Sequence, residues 1–144
     1  MSETIVVGTD GSPTAEKAVR HASTLAARLG ASIMVVTVFD RRGDLSPMGS
    51  VPEDVSWTDT AGGRGEEIAA RAVDIAKQEG VDVVRHRAVP GDPGTALLEV
   101  ATEIDASIVV VGSRGMTGTG RLFGSVPNHV SHNATCDVLI VHTD

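Results

Sequence analysis

Aromatic residues are nearly missing from this chain, which holds two Phe, one Trp and no Tyr. Proteins that grip nucleic acid track its phosphates with basic grooves, and those that hold single strands also stack bases on aromatic rings. Twelve Lys and Arg stand against nineteen Asp and Glu, a formal net charge of −7. Neither device is on offer, so nucleic acid is not the expected partner. Cysteine occurs once, as Cys136. A lone thiol makes no internal disulfide, and it sits in no Cys-x-x-Cys or zinc pattern, so a reducing compartment, the cytoplasm, is expected. No apolar run approaches the roughly 20 residues of a membrane span. Residues 1–10, MSETIVVGTD, lack the basic start and long apolar stretch of a signal peptide. No membrane contact is expected.

What is present is a set of short, β-branched apolar runs: Ile5–Val7, Ile33–Val36, Val81–Val84, Ile108–Val111 and Val138–Val141. None alternates strictly with polar residues, the pattern of strands buried on both faces. Helical spacing separates them. Ala15, Ala18, Val19, Ala22, Leu25, Ala26 and Leu29 form one stripe, opened by Ser12 as cap and Pro13 at the first helical position and closed by Gly30. A second stripe runs from Ile68 to Ala76 before Gly80. A third follows Asp92-Pro93, and a short fourth helix is expected from Ser125. Strands alternating with helices predict an α/β, doubly wound fold: a single domain over 1–144 with a five-stranded parallel sheet covered on both faces. Residues 40–64, punctuated by Gly43, Pro47, Gly49, Pro52, Gly62 and Gly63, are expected to form a long mobile connection.

In such sheets a ligand site forms beyond the carboxyl ends of the strands, where successive crossovers change direction. Strand orders 2-1-3-4-5 and 3-2-1-4-5 both suit five strands. The second puts the crevice between the first and fourth strands, whose exits read Gly8-Thr9-Asp10-Gly11-Ser12 and Gly112-Ser113-Arg114-Gly115. From Gly112 to Gly124 five of thirteen residues are glycine, and Ser125 follows at the start of a helix. Glycines let consecutive backbone N–H groups converge on phosphate oxygens, and a helix start adds unpaired donors and its dipole. Arg114 and Arg121 add local positive charge. The competing reading is a plain flexible turn. A Walker A loop is excluded because Gly120 is followed by Arg121-Leu122, and no Gly-x-Gly-x-x-Gly follows the first strand. Asp10 has two candidate roles, as a partner of ribose hydroxyls or Mg2+ and as a turn-forming carboxylate beside a helix start.

Several segments together resemble the ATP-binding branch of the universal stress protein family over nearly the whole chain. They are the opening IVVGTDGS, the VPGDPG before the third helix, and the closing VVVGSRG, GSVPNHV and CDVLIV. The resemblance implies the order 3-2-1-4-5 of the adenine nucleotide alpha-hydrolase-like fold and a homodimer paired through Val138–Val141. It also implies ATP held by a Gly-x2-Gly-x9-Gly-Ser/Thr motif. Carried onto this chain, Gly112, Gly115, Gly124 and Ser125 hold phosphate and ribose, Asp10 contacts ribose, and Val38 meets adenine. Thr9 and Val126 line the same pocket, with Gly8, Val111, Ser113 and Arg114 completing it. One interval departs from the motif: eight residues, 116–123, separate Gly115 from Gly124 where the family has nine. A loop tighter by one residue leaves room for a shorter ligand, AMP or cyclic AMP.

The leading expectation is therefore a stress-response nucleotide sensor or buffer that is not an enzyme, with ATP hydrolysis at most very slow. A slow adenylating or hydrolytic enzyme and an empty dimerisation module are the alternatives. No Gly-x-Ser-x-Gly elbow or readable Ser-His-Asp set supports acyl transfer, and no catalytic residue is assigned. His129 and His132, three apart, lack a local third ligand for a metal, and Cys136 has no adjacent base. Trp57 is read as an anchor of the 40–64 connection, with a lid over the base as the sharper idea.

Overall fold

In the computed structural model, described for residues 3–39, 57–113 and 125–143, five strands form one parallel sheet. They are β1 (Thr4–Gly8), β2 (Ser32–Phe39), β3 (Val84–Pro90), β4 (Ile108–Gly112) and β5 (Asp137–Val141), connected through α1 (Pro13–Leu29), α2 (Trp57–Gln78), α3 (Pro93–Glu103) and α4 (Ser125–Asn133). The spatial order is β3-β2-β1-β4-β5, so the reversal of crossovers falls between β1 and β4.

Burial on both faces explains the apolar runs. On one face Ile5, Val7, Ile33, Val35 and Val110 pack beneath α1 and α2. On the other, Val6, Met34, Val36, Val38, Val109 and Val111 pack beneath α3 and α4. Adjacent strand residues point to opposite faces, so both parities are predominantly apolar. Each fully buried valine or isoleucine contributes about 1.5–3 kcal/mol of transfer free energy.

The ends of α1 follow their local chemistry. The Ala15 N–H donates to Ser12 Oγ at 3.2 Å. At the other end Gly30 takes φ 67°, which a side chain resists, while the Ala31 N–H reaches the Ala26 carbonyl at 2.9 Å. Asp92 caps α3 in the same way as Ser12, accepting from the Thr95 N–H at 3.2 Å.

Two sequence expectations require correction. The connection expected over 40–64 does not extend that far, because α2 begins at Trp57 and runs through Gly62, Gly63 and Gly65. Packing explains one of those glycines: a β-carbon at Gly65 would lie 2.9 Å from Ala88 Cβ and 3.6 Å from Thr37 Cγ2. Glycine there lets the helix lie close on the sheet, a gain that offsets its cost of roughly 1 kcal/mol in helix propensity. Trp57 thus opens a helix, and residues 40–56 lie outside the described residues.

The third strand is also displaced. Val81, expected within it, is buried in the core but belongs to the turn, where its N–H closes α2 on the Ala76 carbonyl at 3.2 Å. The strand itself is VRHRAVP, paired with β2 from Ile33↔Val84 to Phe39↔Pro90. It is an edge strand, and Arg85, His86 and Arg87 at its centre are exposed or half-buried, which discourages pairing with another chain.

Candidate functional site

The carboxyl edge between β1 and β4 holds two stretches singled out from the sequence, Gly8–Ser12 and Gly112–Ser113. Parallel pairing sets Ile5, Val6 and Val7 against Ile108, Val109 and Val110, so the two exits leave the sheet side by side. Gly8 pairs with Val36, and the Thr9 N–H continues the ladder onto the Val36 carbonyl at 2.9 Å.

The β1 exit is then held by its own side chains. Thr9, almost fully buried, accepts the Gly11 N–H on Oγ1 at 3.0 Å. Asp10, half-buried, accepts the Ser12 N–H on Oδ1 at 2.9 Å. Of the two roles open to Asp10, the turn-forming one is therefore realised by one carboxylate oxygen. Gly11 takes φ 83°, and a β-carbon there would meet Ile68 of α2 at 3.1 Å. Beside it lies a cleft of about 250 Å³ whose lining includes Thr9, Gly11, Glu16, Glu67, Ile68 and Arg71, with Arg71 Nε 3.3 Å from Glu16 Oε2.

At the β4 exit Val111 is buried beneath α3 and α4. Gly112 pairs with Val141, and a β-carbon on it would fall 3.0 Å from Thr143 Cγ2. Ser113 turns toward β5: its N–H donates to the Val141 carbonyl at 2.7 Å, and its Oγ accepts the Thr143 N–H at 3.1 Å. Arg114, Gly115 and Gly124 lie outside the described residues, as does the side chain of Ser125. The Ser125 backbone starts α4, which Val126 and Val130 anchor against the sheet. Val38, from β2, lies in the same core cluster, 8% exposed.

Three features of this edge had no clear sequence signal. Thr143 is 1% exposed and bonded to Ser113. The Gly91 N–H ties the turn after β3 to the Phe39 carbonyl at 2.9 Å. His129 packs on the first turn of α3 over Gly94, its Nε2 3.5 Å from Thr95 Oγ1. The first two rest on side-chain and backbone contacts between segments far apart in the chain.

Other candidates divide differently. Among the described residues no group of three or more His, Cys, Asp or Glu side chains could hold a metal ion, and His132 is exposed at the end of α4. His86 lies 3.0 Å from Glu66. Burial, with Asp137 next to it, raises the Cys136 thiol above its ordinary 9.0, disfavouring the nucleophilic thiolate. A groove of about 500 Å³ along α1 is lined by Lys17, Arg20, His21, Thr24, Leu25 and Arg28. It is a basic surface built by one helix, with Arg20 held by Glu79 at 3.1 Å. No described helix is long and apolar enough to cross a membrane.

Known proteins share this arrangement. The model of the universal stress protein family matches residues 1–142. A universal stress protein of Mycobacterium tuberculosis strain H37Rv is 37% identical over 142 residues, covering 98% of this chain and 97% of its own length. A crystal structure of a universal stress protein in complex with cAMP is 35% identical, covers 99% of this chain and 98% of its own, and superposes with a TM-score of 0.77. A universal stress protein from Archaeoglobus fulgidus in complex with dAMP, 23% identical with a TM-score of 0.70 over 97% of each chain, shares the fold.

Proposed function

This chain belongs to the universal stress protein family, and from that membership we propose that it binds an adenine nucleotide across the β1 and β4 exits. The observation that carries the reading is the adjacency of β1 and β4. It sets the Gly8–Ser12 turn and the Val111–Ser113 exit side by side at the point where crossovers diverge. The glycine-rich segment Gly112–Gly124 leads into the start of α4, where unpaired amides and the dipole favour a phosphoryl group. Thr9, Asp10, Val38 and Val126 line the pocket in this reading, and Gly112, Gly115, Gly124 and Ser125 hold phosphate and ribose. The second oxygen of Asp10 faces ribose or a Mg2+ ion brought in with ATP.

ATP and a monophosphate compete for this site. The interval of eight residues between Gly115 and Gly124, together with a 35% identical relative solved in complex with cAMP, favours AMP or cyclic AMP as a second reading beside ATP. In either case the protein acts as a sensor or buffer in the stress response and not as an enzyme, since no general base is assigned.

We further propose a cytoplasmic homodimer paired through β5. That edge carries Val138, Leu139 and Ile140, with Ile140 44% exposed, whereas the opposite edge is charged at Arg85, His86 and Arg87. Titration calorimetry with ATP, AMP and cyclic AMP tests the nucleotide reading. Binding of at least one, abolished by Gly115→Val with helix content unchanged, is expected, and retained affinity in that variant would show that the wrong loop has been chosen.

A further inference from the structure

Ser113 belongs to the β4 exit of the proposed nucleotide site, yet its N–H and its hydroxyl are both bonded to the end of β5 and the segment after it. Its N–H is spent on the Val141 carbonyl at 2.7 Å. Its Oγ accepts the Thr143 N–H at 3.1 Å and lies 3.4 Å from Thr143 Oγ1. Thr143 is 1% exposed and Ser113 7%, so these bonds are made away from water, where breaking one leaves a costly unpaired group.

The methyl group of Thr143 adds a steric half to the same contact. A β-carbon on Gly112 would fall 3.0 Å from Thr143 Cγ2 and 3.4 Å from its Oγ1. Gly112 is thus the residue that lets the segment after β5 close over the β4 exit, and its role there does not depend on a ligand. Hydroxyl, amide and methyl together fix Gly112 and Ser113 against the segment after β5.

We propose that Thr143 is a positioning residue for the nucleotide site, acting through a clasp on Ser113 and Gly112 that holds the β4 exit in its binding-competent direction. The inference rests on the nucleotide reading above for its effect on affinity, but the clasp itself does not. Ser113 contributes through Thr143, its hydroxyl serving the clasp and not the ligand. The clasp also ties the exposed edge of the sheet to the site, because Thr143 lies two residues beyond β5, whose Val141 pairs with Gly112.

Two measurements on the full chain decide this. Residue-resolved amide exchange by NMR reads the clasp without any nucleotide: Thr143→Val should speed exchange at Ser113, and Ser113→Ala should speed it at Thr143. Exchange in the centre of β1 should stay unchanged. Calorimetry reads the consequence: if the competent exit direction becomes a minor population, affinity for the best-bound adenine nucleotide falls in proportion. One lost buried hydrogen bond corresponds to about threefold to tenfold. Thr143→Ser, which keeps the hydroxyl, should recover most of that loss. The double variant Ser113→Ala/Thr143→Val should bind no more weakly than Ser113→Ala alone, since Ser113→Ala already removes both hydrogen bonds of the clasp. Additive losses would mean that Ser113 meets the ligand directly, and unchanged exchange with unchanged affinity would mean that the clasp positions nothing; either result overturns the proposal. If the unaltered protein binds no adenine nucleotide, the nucleotide reading falls and the exchange rates alone decide, faster exchange sustaining the clasp and unchanged exchange ending it.

Discussion

Gly94 and His129 meet so closely that no other residue fits between them: a β-carbon at position 94 would stand 2.8 Å from His129 Cδ2 and 3.0 Å from Cγ. The contact joins the first turn of α3 to α4 and so sets where α4 begins relative to the sheet. Gly94→Ala should destabilise the protein by about 1–2 kcal/mol, because overpacking outweighs the helix propensity gained. In a His129→Ala background the same change should turn neutral or stabilising. Urea unfolding of the four variants checks the sign reversal, and equal losses in both backgrounds would disprove the steric account.

Thr37 offers the opposite experiment. Its Oγ1 is buried without a hydrogen-bond partner, on the sheet face beneath α2, where a β-carbon at Gly65 would fall 3.6 Å from its Cγ2. A buried hydroxyl left unsatisfied costs roughly 1–3 kcal/mol, and valine has nearly the same shape. Thr37→Val should raise stability by about 1 kcal/mol, read as a higher denaturant midpoint with an unchanged slope. A loss of stability would mean that the hydroxyl has a partner after all.

The Cys136 thiol, raised by burial and by Asp137 beside it, should behave as an inert group. A folded-state value above the unfolded one means a stabilising contribution that is complete below the ordinary 9.0 and lost as pH rises through the raised value. Alkylation by iodoacetamide near neutral pH should therefore be slower than for a free thiol. The fall in stability at alkaline pH should be shallower in Cys136→Ala than in the unaltered protein. Rapid labelling at neutral pH would contradict both statements.

The two sheet edges differ in charge, and the proposed dimer depends on that difference. Ile140 is 44% exposed on β5, and a lysine on a strand edge opposes pairing. Ile140→Lys should sediment as a monomer while the unaltered protein sediments as a dimer, with the same circular dichroism. A monomer in both cases would remove the β5 interface.

The parts of the fold that were legible from the residues are those decided by nearest neighbours. Ser12, Pro13 and Gly30 mark both ends of α1, because capping and positive φ are properties of a few consecutive residues. The runs at Ile5–Val7, Ile33–Val36, Ile108–Val111 and Val138–Val141 mark four strands, the first three because burial on both faces favours apolar side chains, and the last although its Ile140 is exposed. β3 escaped that logic. As an edge strand it tolerates Arg85, His86 and Arg87, so its apolar content is thin, and the richer stretch at Val81–Val84 drew the expectation six residues too early at its far end. The glycines of α2 misled in the same way, since Gly62 and Gly63 read as loop punctuation, yet α2 runs through them.

For the candidate site, the chain order of residues pointed to Gly8–Ser12 and to Gly112–Ser125 as strand exits, and the family resemblance supplied the strand order that makes the first and fourth neighbours. Those statements need only local pattern and motif. That His129 rests on Gly94 and that Thr143 clasps Ser113 were decided by tertiary structure alone. Each joins groups whose distance depends on how helices and strands pack, and no spacing along the chain encodes a contact between residues 30 or more apart; the Asp10 turn, by contrast, is local, and its use of one carboxylate oxygen was already open to the sequence.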